Sequence, residues 1–256
     1  MIRCRIFAAL AGLALLAGCG SLDNPPSAPQ AQPQARLQVI HAAPDAPSFE
    51  VLAANSPVWS AGDYGQASPL LQVPARPVAI EVKARLPGSR TATLIGPVTL
   101  GLADKSRYTV VATGRISDLQ PVVLSTTDVA PPAGLVRLRL LHAAPAAPTV
   151  DVYLTAPTAA LAVSTALTRL AFRQDFGPAE VADGSYRIRI TPAGNREVVV
   201  FDSGPLTLAS QSDLTVVAID NTGPGDAPLQ LLVADAKGGT AQVRVVQAPP
   251  RWRALR

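Results

Sequence analysis

The chain has 256 residues, of which 48% are hydrophobic, 16% are charged and 25 are proline, and its formal net charge at pH 7 is +4. Five of its arginines stand close to the two ends: Arg3, Arg5, Arg251, Arg253 and Arg256. Because the long middle part is nearly neutral and has no clustered basic face, the composition argues against a nucleic-acid-binding protein.

The first 18 residues have the order of a bacterial export signal. A short basic start is followed by an apolar run from Ile6 to Leu16 and then by small residues. As a helix this run would rise only about 16 Å, whereas a bilayer core of about 30 Å needs roughly 20 residues. We therefore predict a signal peptide over residues 1–18 rather than a membrane-spanning helix.

The box Leu16-Ala17-Gly18-Cys19 resembles the cleavage site of a bacterial lipoprotein. The resemblance implies that the chain is cut before Cys19 and that lipid is attached to this residue, so that the membrane is its first partner. Gly20 stands where an aspartate commonly retains Gram-negative lipoproteins in the inner membrane, which favours the outer membrane. Cys4 leaves with the signal, so no disulfide is available and burial of a core must stabilise the fold.

Residues 19–35 have the composition of a stalk. The segment contains three glutamines, no aromatic residue and four prolines: Pro25, Pro26, Pro29 and Pro33. Such a segment cannot bury a core and favours an extended chain of about 3.1 Å per residue. We expect a lipidated spacer between the membrane and the next domain.

An internal repeat begins after the stalk. The segment Val39–Pro47 returns as Leu140–Pro148, both containing His-Ala-Ala-Pro. Weaker matches pair 63–65 with 175–177, 96–100 with 204–208, and 108–112 with 214–218. The changing offset predicts insertions between fixed strands, the largest being an alanine-rich stretch from Ala156 to Leu170 that would accommodate a short helix.

The strands are predicted from period-two alternation, which is clearest at Val78–Val82, Val136–Leu140 and Tyr186–Ile190. Alternation of this kind places one face of a strand on a core and the other in water. Each repeat offers about seven short strands separated by turn residues, which is typical of a β-sandwich. A closed barrel stays an alternative, because strand count alone does not fix closure.

The predicted architecture is all-β: two tandem immunoglobulin-like β-sandwich domains that follow the signal peptide and the Pro-rich stalk. Their ranges are 36–130 and 135–239, joined by a short linker at Pro131–Gly134. Residues 240–256 look like the opening strand of a third copy followed by a basic tail. A lone strand must satisfy its backbone elsewhere, so we expect it to pair with the second repeat.

The His-Ala-Ala-Pro-Asp-Ala-Pro motif is similar to that of the bacterial domain-of-unknown-function family 4397. Members typically carry His-Ala-Ser-Pro-Asp-Ala-Pro and then an Asp-Val-Tyr strand, which stands here as Asp151-Val152-Tyr153. The resemblance covers residues 36–247 and implies tandem extracytoplasmic β-domains without agreed catalytic residues. The chain departs from the pattern at Ala146, which replaces the motif aspartate, and at 49–52, where Phe-Glu-Val-Leu replaces the usual strand.

His41 and His142 are the only histidines and occupy equivalent positions. Each is a candidate metal ligand or general base, or a structural histidine that bonds the carbonyls of the following proline turn. Zinc needs three or four ligands, and neither copy has a second histidine or a free cysteine. We therefore expect a structural motif without metal or other cofactor, formed by His41, Pro44, Asp45, Pro47, His142, Pro145 and Pro148.

Two further segments, the loop 220–226 and the tail 251–256, are candidates for binding chemistry. No Gly-x-Ser-x-Gly elbow is present in the sequence. The loop 220–226 is rich in oxygen ligands, but Leu231 stands where a calcium loop needs glutamate, so a hairpin loop is predicted. The tail 251–256 combines three arginines with Trp252 and would either bind an anionic surface or remain a solvated terminus.

Together these features predict a non-enzymatic cell-envelope lipoprotein with a structural, adhesive or ligand-binding role. Its partners would be the membrane and an envelope polymer or protein. The alternative is a periplasmic hydrolase or metal-dependent enzyme that uses His41 and Asp45. That enzyme requires His41 to lie in a concave pocket beside Asp45, whereas a binding module predicts the same histidine contacts in both copies.

Overall fold

The computed structural model describes residues 32–88, 90–223, 227–236 and 242–246. These ranges contain strands, loops and two single 3₁₀ turns, Ile116–Asp118 and Leu161–Val163, but no α-helix. None of their helical segments has the length and hydropathy to cross a bilayer. The predicted signal peptide, Cys19, the stalk up to residue 31 and the tail from residue 247 lie outside the described residues.

Within the described residues the two repeats share eight equivalent strands each, one more than the sequence led us to expect. In repeat 1 they are β1 (Gln34–Ala42), β2 (Phe49–Ala53), β3 (Ser56–Gly62), β4 (Leu71–Pro74), β5 (Pro77–Leu86), β6 (Arg90–Gly101), β7 (Ser106–Thr113) and β8 (Gln120–Thr127). In repeat 2 they are β9 (Leu135–His142), β10 (Val150–Thr155), β11 (Thr168–Leu170), β12 (Asp175–Ala182), β13 (Gly184–Pro192), β14 (Phe201–Leu208), β15 (Asp213–Asp220) and β16 (Leu229–Asp235).

The two repeats have the same topology. Their inner sheets have the orders β4-β1-β7-β8 and β12-β9-β15-β16, and their outer sheets the orders β3-β2-β5-β6 and β11-β10-β13-β14. In both inner sheets the first strand runs parallel to the seventh, with Val39 opposite Val110 and Leu140 opposite Val216. The prediction of an all-β protein with two tandem sandwich-like halves is confirmed.

A fifth strand, β17 (Gln242–Val246), extends the inner sheet of repeat 2. Its backbone pairs antiparallel with β16, placing residue 245 opposite Leu232. Repeat 2 therefore ends in a strand that has no counterpart in repeat 1, at the position where the sequence suggested the start of a third copy.

Within each repeat the two sheets enclose a core of alternating apolar residues. On β5 the side chains of Val78, Ile80 and Val82 are buried, and the residues between them face outward. The same alternation on β9 buries Val136, Leu138 and Leu140. Period two thus positions the core of both sandwiches as expected.

The two inner sheets also pack against each other. A third core, which we call the inter-repeat core, joins residues from both repeats: Ile40, Ala42, Val111, Leu124, Leu141, Ala143, Val217, Ile219, Leu232 and Ala234. The strands β1 and β9 are consequently covered on both faces. The four sheets form four layers, outer–inner–inner–outer.

The period-two pattern predicts that the arginine face of β9 lies in water, and this prediction is wrong. The side chains of Arg137 and Arg139 are only 11% and 14% exposed. Arg137 donates to the Val129 carbonyl at 2.8 Å, and Arg139 donates to the Ser125 carbonyl at 2.9 Å. Alternation identifies the core face of a strand, but it does not distinguish solvent from a polar contact with another domain.

Candidate functional site

The histidine of repeat 1 lies at the end of β1, where the chain leaves the sheet and turns at Pro44. The His41 side chain is fully buried, and its ring stacks on Phe49 with 3.8 Å between centroids. Its Nδ1 accepts the Ala43 N–H at 3.3 Å, so Nε2 carries the proton and donates to the Pro47 carbonyl at 3.3 Å. The proline turn that follows His41 in the chain thus folds back over the imidazole ring.

The histidine of repeat 2 makes the same pair of bonds. His142 Nδ1 accepts the Ala144 N–H at 3.3 Å, and Nε2 donates to the Pro148 carbonyl at 3.0 Å. Pro145 lies in the connecting turn, as Pro44 does in repeat 1. The ring has no stacked aromatic neighbour like Phe49, because the matching residue is Val150, and it meets Phe172 edge-on instead.

Burial keeps both imidazoles neutral. It lowers the pKa of His41 to about 4, against the weaker opposing effects of the Pro47 carbonyl and Asp63. Burial also lowers the pKa of His142. Because both nitrogens of each ring already have backbone partners, neither ring offers a free nitrogen to a substrate. Nowhere in the described ranges do three metal-ligating side chains come together.

The structure does not bring Asp45 to His41. The Asp45 carboxylate accepts the backbone N–H of Ile116 at 2.9 Å and lies 4.0 Å from the Arg115 guanidinium. In repeat 2 the roles reverse, since the Ala146 N–H donates to the Asp220 carboxylate at 3.4 Å. Both arrangements tie the proline turn to the end of the seventh strand, which explains how alanine can replace the motif aspartate.

The turn that completes each histidine site was matched wrongly from the sequence. Gly65 N–H donates to the His41 carbonyl at 2.9 Å, and Arg173 N–H donates to the His142 carbonyl at 2.7 Å. The true counterpart of 63–65 is therefore 171–173, not 175–177. Arg173 adopts a φ of 67°, close to the 75° of Gly65, so a non-glycine residue in a left-handed conformation concealed the match.

The loop after β15 is a hairpin connection in its described part. β15 and β16 pair antiparallel up to Asp220 and Leu229, and the Asn221 side chain donates to the Ala227 carbonyl at 2.9 Å. Asn221 also accepts the Gly223 N–H at 3.0 Å, which is an Asx turn.

A groove that the sequence analysis missed lies on the outer sheet of repeat 2. Its volume is about 750 Å³, within the range of small-molecule sites. Its polar lining includes Asp151, Tyr153, Thr165, Thr168, Arg169 and Arg196. The available signal was the alanine-rich insertion, which supplies one wall. That insertion forms a 3₁₀ turn and β11, with no α-helix over 156–170.

The insertion is fastened to the sheet beneath it. Three arginines of repeat 2 donate to carbonyls of the segment 156–167: Arg187 to Pro157 at 3.4 Å, Arg189 to Ala159 at 2.9 Å and Arg196 to Ala162 at 3.0 Å. Asp151, which is 4% exposed, binds Arg169 through two bonds of 2.7 and 3.1 Å and accepts the Gly194 N–H at 2.7 Å. The groove is therefore bounded by a tethered loop.

The family model for Domain of unknown function (DUF4397) matches residues 35–153 and 156–256. The chain belongs to this family. The resemblance carried by the histidine motif is thereby confirmed. No curated protein matches the chain. Both histidine motifs and the Asp-Val-Tyr strand fall within the first matched segment, whereas the loop 156–167 opens the second.

Proposed function

We propose that this family member is a non-enzymatic lipoprotein of the bacterial cell envelope, with a structural, adhesive or ligand-binding role. The observation that carries the non-enzymatic part is the matched use of both histidines. His41 and His142 engage the same backbone groups in both repeats, with both ring nitrogens occupied. A catalytic or metal-binding histidine needs at least one nitrogen directed to a reactant or ion.

The envelope part of the proposal rests on the amino-terminal sequence. Lipid on Cys19 would hold the folded body at a membrane through the Pro-rich stalk, and Gly20 directly after the cysteine favours the outer membrane. Each buried methylene of an acyl chain contributes about 0.8 kcal/mol, and two or more chains give stable attachment. The four-layer body then offers its outer sheets and loops for contact with an envelope polymer or protein.

The anchor is tested in a Gram-negative host with Cys19→Ser. The wild-type chain should incorporate a labelled fatty acid, lose residues 1–18 and enter the detergent phase on Triton X-114 partition. Cys19→Ser should abolish labelling and give a soluble exported chain or an uncleaved precursor. Processed Cys19→Ser protein in the detergent phase would contradict lipidation as the anchor.

The non-enzymatic assignment is tested with zinc and the neutral variants His41→Gln and His142→Gln. The chain purified without chelator should bind no stoichiometric zinc by calorimetry, and the two variants should behave like the wild type. Binding of one zinc per chain that disappears in either variant would favour the metal-dependent alternative that uses His41 and Asp45.

A further inference from the structure

The groove on the outer sheet of repeat 2 has balanced charge. Asp151 and Glu197 line it together with Arg169 and Arg196. The bidentate pair of Asp151 and Arg169 neutralises two of these charges in place. A site for a strongly anionic ligand would need cations in excess, so the lining favours a neutral ligand.

The groove also has unused hydrogen-bonding groups. The hydroxyls of Tyr153, Thr165 and Thr168 have no protein hydrogen-bond partner in the part of the chain that the structure describes. Tyr153 as a whole is only 1% exposed, but its hydroxyl is not an enclosed, unpaired atom and meets the open space of the groove. Hydroxyls both donate and accept, so they complement the hydroxyls of a ligand in either direction.

The size and openness of the groove also suit an extended ligand. Its volume of about 750 Å³ lies in the upper part of the range for ligand sites and accommodates a short oligosaccharide segment, and it is open along the surface rather than enclosed. A site built to bond ligand hydroxyls discriminates strongly against analogues that lack them, because its own polar groups would be left without partners.

We infer that this groove binds a neutral, hydroxyl-rich oligosaccharide segment, with Tyr153, Thr165 and Thr168 contacting sugar hydroxyls. The inference deepens the ligand-binding role proposed above and rests on it. The site belongs to repeat 2 alone, because repeat 1 has no counterpart of the loop that walls it.

The test uses the mature chain purified in detergent and four soluble probes. Three are neutral tetrasaccharides: cellotetraose, maltotetraose and the tetramer of N-acetylglucosamine. The fourth, tetragalacturonate, is of matched length and carries a negative charge on each ring. Saturation-transfer NMR should detect saturable binding of at least one neutral tetrasaccharide and weaker binding of tetragalacturonate.

Two variants place the binding in the groove. Tyr153→Phe and Thr168→Val each remove one hydroxyl while keeping the shape of the side chain. Each should weaken binding of the neutral tetrasaccharide roughly three- to tenfold, the loss expected for one hydrogen bond. Thr99→Val, which changes an exposed threonine on β6 of repeat 1, is the matched control and should leave binding unchanged.

A third variant tests the charge argument. Asp151→Asn retains an acceptor for the Gly194 N–H but removes the charge that neutralises Arg169. The groove then carries an excess cation, and the preference should move from the neutral tetrasaccharide toward tetragalacturonate. An unchanged preference would show that the pair of Asp151 and Arg169 does not select the ligand, against the inference.

Three other results would overturn the inference: no binding of any neutral tetrasaccharide, binding that is unaffected by both hydroxyl variants, or a wild-type preference for tetragalacturonate. Tetra-alanine is added as a fifth probe, and its binding through the same hydroxyls in place of every saccharide would assign the groove to peptides and overturn the inference. Lipidation is measured separately on Cys19, so a failed saccharide screen leaves the anchor standing and a failed anchor leaves the groove standing.

Discussion

The β2–β3 connection of repeat 1 and the β10–β11 connection of repeat 2 join equivalent strands but produce different surfaces. In repeat 1 the link is Ala54-Asn55, with φ of 48° and 66°, as in a tight type I′ hairpin turn. In repeat 2 the segment 156–167 replaces that turn and covers part of the outer sheet. The same scaffold therefore carries a polar groove in one copy and a bare hairpin in the other.

On the inner sheets, in contrast, a difference between the two repeats helps to hold them together. Arg107 on β7 and Asp213 on β15 occupy matching positions in the repeats and form an ion pair across the interface. Both are nearly buried, with 6% and 7% exposure. The two inner sheets present similar apolar faces to each other, and this pair of opposite charges gives their contact a specific register.

The largest expected loss of stability comes from breaking the ion pair between Arg107 and Asp213. Asp213→Ala leaves Arg107 and Arg137 buried without the carboxylate that both contact, which should lower the free energy of unfolding by about 3–5 kcal/mol. Urea denaturation measures the change. The control is Asp175→Ala, whose partner is Arg139 but whose side chain is 37% exposed.

The control should cost less than about 1 kcal/mol, as exposed pairs do. Equal losses of unfolding free energy in the two variants would mean that other neighbours pair Arg107 and Arg137 adequately. The ion pair between Arg107 and Asp213 would then not stabilise the contact between the repeats.

The second prediction concerns acid. The pKa of His41 is about 4 in the folded chain and near 6.5 when unfolded, so the unfolded state binds more protons between these values. This contribution to stability is complete above pH 6.5 and is lost as the pH falls toward 4, by about 3 kcal/mol at most. His142 should act in the same direction.

His41→Gln should flatten the fall in unfolding free energy between pH 6.5 and 4.5, measured by urea denaturation at each pH. His142→Gln removes only the contribution of repeat 2 and serves as the paired comparison. If the unfolding free energy of His41→Gln falls with pH as steeply as that of the wild type, other groups control the acid sensitivity between pH 6.5 and 4.5.

The sequence anticipated the features that depend on local pattern. Period two located the core faces of β5 and β9, and the recurrence of His-Ala-Ala-Pro located the two matched histidines. The sequence could not show that the other face of β9 packs on repeat 1, because the alternation of apolar and charged residues is the same whether Arg137 lies in water or at an interface. The groove was missed because the segment 156–167 contains alanine and threonine in no recognisable motif.

The smallest expected loss of stability concerns Tyr64, whose counterpart in repeat 2 is Phe172. The Tyr64 hydroxyl donates to the Asp220 carbonyl of repeat 2 at 2.7 Å, whereas Phe172 has no hydroxyl and meets the His142 ring of its own repeat edge-on. Tyr64→Phe makes the two positions alike and removes one bond between the repeats, at a cost of about 1 kcal/mol.

The matched control is Tyr186→Phe, which removes a hydroxyl bond of 3.1 Å to the Ala182 carbonyl within repeat 2. Amide hydrogen exchange separates the two variants. Tyr64→Phe should accelerate exchange on both β1 and β15, because it loosens a contact that both repeats share, whereas Tyr186→Phe should act on repeat 2 alone. Faster exchange confined to repeat 1 in Tyr64→Phe would mean that this hydroxyl stabilises its own turn and does not couple the repeats.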